Sequence, residues 1–169
     1  FADTADRDYQ TMLQAIEAYR KAIASNPNDP GIYIALARAQ VFAGKYADAQ
    51  TSAEDALLLN PNNAMAHAVR AWALDFQGNY LEAEASVKRA LELDPNNAYA
   101  HAYYVEILVD ASYSGTGAIG GIEKAIEESK VAIALAPDLL ETRRARGYLL
   151  EATGNYEEAI REYEAAIAI

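Results

Sequence analysis

The chain has 169 residues and a net charge of −11, from 14 Lys and Arg against 25 Asp and Glu. That surplus of negative charge repels a phosphate backbone, so nucleic-acid binding is disfavoured. The absence of cysteine removes disulfides, thiolate metal sites and thiol nucleophiles, no apolar run approaches the roughly 20 residues of a membrane span, and 52% hydrophobic residues is too many for a disordered chain.

Punctuation along the chain is periodic, so the repeat is read before the secondary structure. Pro27, Pro61 and Pro95 are equally spaced, and Pro137 follows after a longer interval. Residues 1–29 read as a lone helix running into a turn at Asn26-Pro27-Asn28-Asp29. Residues 30–63 follow as a helix pair, divided at Gly44-Lys45-Tyr46 and closed by Asn60-Pro61-Asn62-Asn63. Residues 64–97 repeat the pattern, divided at Gly78-Asn79-Tyr80 and closed by Asp94-Pro95-Asn96-Asn97. Residues 98–139 form a third pair with eight extra residues, and residues 140–169 a fourth that is divided at Gly154-Asn155-Tyr156 and stops early. Pro, Asn and Gly mark the turns, and good helix formers fill the spaces between them. In residues 80–94, Ala83, Val87, Ala90, Leu91 and Leu93 approach the spacing of one apolar helix face. Ala49, Ala83, Ala125 and Ala159 hold one phase, and Ala22, Ala56, Ala90, Ala132 and Ala166 another. A methyl group there lets two helix backbones approach closely. The expectation is one domain of about nine helices. It starts at Phe1 rather than Met and stops at Ile169 inside a helical pattern, which suggests a piece of a longer protein; no compartment is implied.

These recurring positions resemble the tetratricopeptide repeat family. Its motif sets an aromatic, a Leu, a small residue and an aromatic on the first helix, then Ala, an aromatic and Ala on the second, then Pro. Repeat one matches with Tyr33, Leu36, Ala37, Tyr46, Ala49, Ala56 and Pro61; repeat two with Ala71, Tyr80, Ala83, Ala90 and Pro95. Repeat three matches with Ala125, Ala132 and Pro137, and repeat four with Gly147, Tyr156, Ala159, Tyr163 and Ala166. Ala15, Tyr19, Ala22 and Pro27 then belong to the second helix of a partial repeat. The resemblance implies an all-α, right-handed α-solenoid of stacked antiparallel helix pairs. It also implies a protein–protein interaction scaffold rather than an enzyme. The chain departs from the motif at Arg70 and Arg146, which stand at the Leu position. An unpaired Arg in a helix seam is costly, so Arg146 is expected to pair with Glu162; the competing expectation is that it reaches out to water.

By the same resemblance the first helix of each pair lines a concave groove. Carried over residue by residue, the groove positions include Arg38 and Phe42 in repeat one, and Trp72, Asp75 and Phe76 in repeat two. Repeat three supplies Tyr99, Tyr103, Glu106 and Asp110, and repeat four Glu141, Arg144 and Tyr148. Outward-facing Trp, Tyr, Phe and Arg dominate binding hot spots. The peptide-binding candidates are therefore Arg38, Phe42, Trp72, Phe76, Tyr99, Tyr103, Glu106, Asp110 and Tyr148. Alternatively these aromatics pack against neighbouring helices. The groove reads as apolar and aromatic in repeats one and two and acidic in repeat three. No groove position holds the Lys and Asn with which some members of the family grip a C-terminal carboxylate. A hydrophobic or aromatic peptide, with or without a basic residue, is the expected partner.

Other features carry less. Residues 112–122 are expected as a long loop between the helices of repeat three. Within it, Gly115–Gly120 matches G-x-G-x-x-G, but a dinucleotide site needs that string after a strand. His67 and His101 are the only histidines and share a phase. Zinc wants about four ligands, and nothing supports these two, so packing is expected and no metal or other cofactor. Glu127-Glu128 and Glu157-Glu158 read as solvated helix faces, and no nucleophile with its base is in view. The alternatives to groove binding are self-assembly through open terminal helices, or service as the regulatory arm of a larger protein. Partners are thus a protein or peptide, without nucleic acid or membrane insertion, and with a possible homo-oligomer.

Overall fold

A computed structural model describes residues 2–116 and 121–169, with side chains from residue 9 onward. Among these residues the chain forms nine α-helices and no strand. They are α1 (Ala2–Ser25), α2 (Pro30–Phe42), α3 (Tyr46–Leu59), α4 (Ala64–Asp75), α5 (Tyr80–Leu93), α6 (Ala98–Ser114), α7 (Gly121–Leu135), α8 (Leu140–Ala152) and α9 (Tyr156–Ile167). The pairs α2–α3, α4–α5, α6–α7 and α8–α9 stack in order, with α1 packed on α2.

The periodic turn residues are helix caps. Asp29, Asn63 and Asn97 each accept a backbone N–H from the first turn of the next helix, at 2.8, 3.1 and 3.1 Å. Each satisfies an orphan donor of a helix start. In the last repeat the same position is Leu139, which provides no side-chain cap. The residue four into the helix ties the turn down as well. Tyr33, His67 and His101 bond the carbonyl oxygens of Pro27, Pro61 and Pro95 at 3.1, 3.0 and 2.9 Å. The paired histidines are therefore turn tethers. Inside each pair the chain reverses at Gly44, Gly78 and Gly154, all left-handed with φ of 71°, 75° and 79°, where a side chain would be strained.

The alanine phases sit at the helix contacts. Ala49, Ala83, Ala125 and Ala159 are 0 to 3% exposed. Ala56, Ala90 and Ala132 are equally buried, while Ala22 and Ala166, at the two ends of the stack, are only half-buried. Polar pairs close the remaining seams. Arg146 Nε lies 2.9 Å from Glu162 Oε1, the expected ion pair, although without hydrogen-bond alignment. Glu162 also accepts from Arg143 at 2.9 Å. Arg70 Nε donates to Glu54 at 3.0 Å, and its Nη1 donates to Ser86.

Two expectations are corrected. Glu128 is not on a solvated face: it is 6% exposed, 2.5 Å from His101 Nδ1 and 2.9 Å from Lys124 Nζ. Burial alone would lower the His101 pKa, but Glu128 and the Pro95 carbonyl outweigh it and the net shift is upward. Both ring nitrogens then donate. The second correction concerns the insertion. Ser112, Tyr113 and Ser114 are not loop but the last turn of α6, which runs 17 residues where α2 and α8 run 13. Ser112 Oγ donates back to Leu108 O at 2.7 Å, a bond compatible with helix, and the first left-handed residue is Gly115. Tyr113 Oη reaches the Ala152 carbonyl at 3.1 Å and so docks the longer helix on α8. Gly121 and Ile122 already belong to α7. The Gly-rich string 115–120 lies mostly outside the described residues.

Gly147 lets α9 lie close against α8: a Cβ there would meet the Tyr163 ring at 2.7 Å. Gly147→Ala is expected to lower stability by about 1–3 kcal/mol through overpacking, despite alanine's better helix propensity. Urea unfolding followed by far-UV circular dichroism checks this; a stabilised variant contradicts it.

Candidate functional site

Among the described residues, α2 touches α4, α4 touches α6 and α6 touches α8, whereas no second helix of a pair touches the next second helix. The first helices therefore occupy the tight, inner side of the winding. All nine candidate residues lie on these four helices or at their C-terminal ends.

The curvature is strong enough to bury part of the inner face in itself. Trp72, Tyr103 and Glu106 are 1%, 0% and 6% exposed, so these three are not the outward-facing groove residues expected from the sequence. Trp72 stacks on Tyr103 with ring centres 4.6 Å apart and planes 7° apart. Its Nε1 donates to Glu106 at 3.2 Å. Arg144 of α8 donates to both Glu106 oxygens, at 2.9 and 3.1 Å, and its guanidinium lies 4.7 Å from the Trp72 ring centre. A buried ion pair becomes tolerable when hydrogen bonds fill its remaining sites, and a desolvated cation over an indole adds to it. Burial pushes the Glu106 carboxyl up; Arg144 and Trp72 pull it back only in part. Nearby on the same face, Arg38 of α2 donates to Glu141 of α8 at 2.6 Å and lies 4.8 Å from the Tyr99 ring centre. That contact joins the first full repeat to the last across 103 residues.

The remaining candidates stay accessible along one edge. Phe42 and Phe76 are 42% and 47% exposed, and both sit edge-on to Trp72 with ring centres 5.2 and 5.9 Å from it. Phe76 also stacks on Tyr46 at 4.7 Å. Phe42 borders an open cleft of about 340 Å³ shared with Met12, Ala15 and Tyr19 of α1. Asp110, half-buried, accepts the Tyr148 hydroxyl in a very short bond. Tyr99 and Tyr148 are also half-buried.

Asp75, Glu141 and Arg144 stand at groove positions in the sequence, but nothing in their periodicity distinguishes them. Their roles come from contacts between repeats. Asp75 is 3% exposed and its Oδ1 has no hydrogen-bond partner. Burial first, then the Asp110 and Glu106 carboxylates, push its carboxyl up to about 9, with Arg144 opposing. Among the described residues no group of three or more His, Asp or Glu is placed to hold a metal ion. No described helix is long and apolar enough to cross a membrane.

The Asp75 shift has a sign that can be measured. The unfolded chain loses this proton near pH 4, whereas the folded chain keeps it until about pH 9. The group's contribution is full below pH 4 and is lost as pH rises toward 9, at up to about 1.4 kcal/mol per unit. Asp75→Asn is expected to raise stability at pH 7 by on the order of 2–4 kcal/mol and to flatten that slope. Thermal unfolding across the pH range decides it, and an unchanged slope contradicts the assignment.

Family models described as tetratricopeptide repeat match residues 7–73, 64–97 and 145–169. No curated protein is similar enough to match. Among solved structures, a thermophilic TPR protein of Thermus thermophilus superposes with a TM-score of 0.70, at 24% identity, over 98% of this chain and 84% of that one. MamA of Desulfovibrio magneticus RS-1 superposes with a TM-score of 0.58, at 19% identity, over 99% of this chain and 93% of its own. An O-GlcNAc transferase mutant from Thermobaculum terrenum does so at 0.60 and 26% identity, over 73% of this chain but only 22% of its own. Helix order, repeat phase and family models agree, and the chain belongs to the tetratricopeptide repeat family.

Proposed function

We propose that this chain is a protein-interaction scaffold that takes a peptide or protein segment along the rim of its inner face. The family's repeats generally mediate protein–protein interaction. The observation that carries the finer reading is the pair Phe42 and Phe76. They share a phase, remain nearly half exposed, and are held edge-on by a buried Trp72. Rigid, half-exposed aromatics on a locked base lose little entropy when they bind. Arg38 and Tyr99 extend the rim, with Arg38 itself about one-third exposed in its side chain. Tyr148 and Asp110 lie at its far end, while Trp72, Tyr103 and Glu106 support it from below. Repeats of this family act generally as scaffolds, and a scaffold is the reading proposed. The net charge of −11 disfavours nucleic acid as the partner.

Panning a random peptide library on the folded chain tests the reading. Phe42→Ala and Phe76→Ala are each expected to cost selected peptides about 1–2 kcal/mol of affinity, with the helical signal unchanged. Selected peptides that bind both folded variants as well as the parent chain contradict it.

One observation supports self-association as a second reading. Tyr156, Ile160 and Ile167 lie along one face of α9 and are 64%, 56% and 86% exposed. An exposed apolar stripe along one helix face is a natural contact for another copy. Sedimentation velocity at micromolar concentration is expected to show a dimer or larger species that Ile160→Glu returns to monomer. A parent chain that is monomeric throughout rules this reading out.

A further inference from the structure

The rim is not uniform. Phe42, Phe76 and Asp110 occupy one phase in successive repeats, toward the ends of α2, α4 and α6. Two positions are apolar and exposed; the third is a carboxylate, and Asp75 meets it from α4. The charges around this pair do not balance. Glu106 has Arg144 on both oxygens, whereas among the described residues no Lys or Arg makes an ion pair with Asp75 or Asp110. Tyr148 donates one hydrogen bond to Asp110. Asp75 Oδ1 remains buried without any partner. A buried polar atom left unpaired calls for an explanation. The groups facing Asp75 are Asp110 and Glu106 from α6, Arg144 and Tyr148 from α8, and Tyr80 at the start of α5.

We infer that the Asp75–Asp110 pair is a subsite for a cationic side chain, and that the segment bound on this rim carries two apolar anchors followed by a Lys or Arg. The inference rests on the rim-binding reading above and names the chemistry of its partner. The spacing follows from the stack. Neighbouring packed helices lie about 8–10 Å apart. A polyproline II segment advances about 3.1 Å per residue with three residues per turn, so every third side chain shares a face about 9 Å from the last. Anchors at every third residue therefore meet Phe42, Phe76 and the carboxyl pair in turn. Until a cation arrives, a proton does its work: the protonated Asp75 hydrogen-bonds to Asp110. The incoming ammonium or guanidinium pairs with the half-buried Asp110, and the proton shared with the buried Asp75 leaves as the ligand's charge replaces it.

Three synthetic peptides test this: acetyl-Leu-Pro-Pro-Leu-Pro-Pro-Lys-amide and its counterparts ending in Leu or Glu, titrated by calorimetry against the whole chain. The Lys peptide is expected to bind at least about tenfold more tightly than the Leu peptide, and the Glu peptide most weakly. Asp110→Asn, which keeps an acceptor for Tyr148, is expected to bring the Lys and Leu peptides to equal affinity. Proton displacement adds a signature that structural support would not give. Between about pH 6.5 and 8.5 the affinity for the Lys peptide rises by up to about tenfold per unit, and in Asp75→Asn it is flat. Equal binding of the Lys and Leu peptides overturns the cation subsite and leaves rim binding standing. A flat pH profile in the parent chain removes Asp75 from the subsite. Failure of all three peptides to bind, while library peptides bind through Phe42 and Phe76, overturns the spacing; failure of both kinds overturns the rim itself.

Discussion

Close contact between the two helices of each pair is the constraint on which the rest of this structure depends. Ala49, Ala83, Ala125 and Ala159 are almost completely buried, and at those points nothing larger than a methyl group separates the backbones. Gly147 goes further and leaves the Tyr163 ring where a methyl would be. Thin pairs allow a tight winding. A tight winding in turn presses the first helices together and brings Arg38 of one repeat against Glu141 three repeats later. The same small residues thus account for a filled inner face. Larger ones would spread the pairs and move these partners out of reach.

The filled inner face places charge where a helix stack usually places hydrocarbon. Glu106 and Arg144 are held between Trp72, Tyr103 and the neighbouring helices. Such a pair is not an efficient source of stability, because the desolvation of both ions offsets much of their attraction. What it does supply is register. Glu106 accepts three hydrogen bonds, from α4 and α8, and a sliding of either helix against α6 would break at least one and leave a buried charge unpaired. The rim aromatics inherit that fixity, since Phe42 and Phe76 lean on Trp72.

Much of the frame is legible in the sequence because it is local and periodic. Pro27, Pro61 and Pro95 give the turns, Asp29, Asn63 and Asn97 are in phase to cap, and Arg146 lies across one helix pair from Glu162. Glu128 was within reach of the same reasoning. It stands one repeat before Glu162 and in phase with Ser52 and Ser86, all of which face the first helix of their pair. The extra turn of α6 is harder to see, since Ser112 and Tyr113 favour loop as readily as helix until Tyr113 finds the Ala152 carbonyl. The burial of Trp72, Tyr103 and Glu106 is not legible at all. It depends on how sharply successive pairs rotate, a property of the whole stack that no single repeat encodes.

A repeating frame also separates what is structural from what is specific. With each repeat the stack offers the same backbone slot again, so a side chain needed only for stacking can recur unchanged, as the alanines do. The inner face does the opposite. One slot holds Arg38, Trp72, Glu106 and Tyr148 in successive repeats; the slot of Asp75 holds Val41 and Val109 in its neighbours. Valine in all three would pack at no electrostatic cost, whereas Asp75 keeps a carboxyl in a place that forces it to hold its proton to about pH 9. A substitution that costs stability in a slot where its neighbours show a cheaper solution points to a requirement other than folding. On the proposed reading that requirement is recognition of a partner along the stretch of rim where Phe76 is exposed and no described Lys or Arg pairs with Asp110, and the departures from the period, rather than the period, mark that proposed surface.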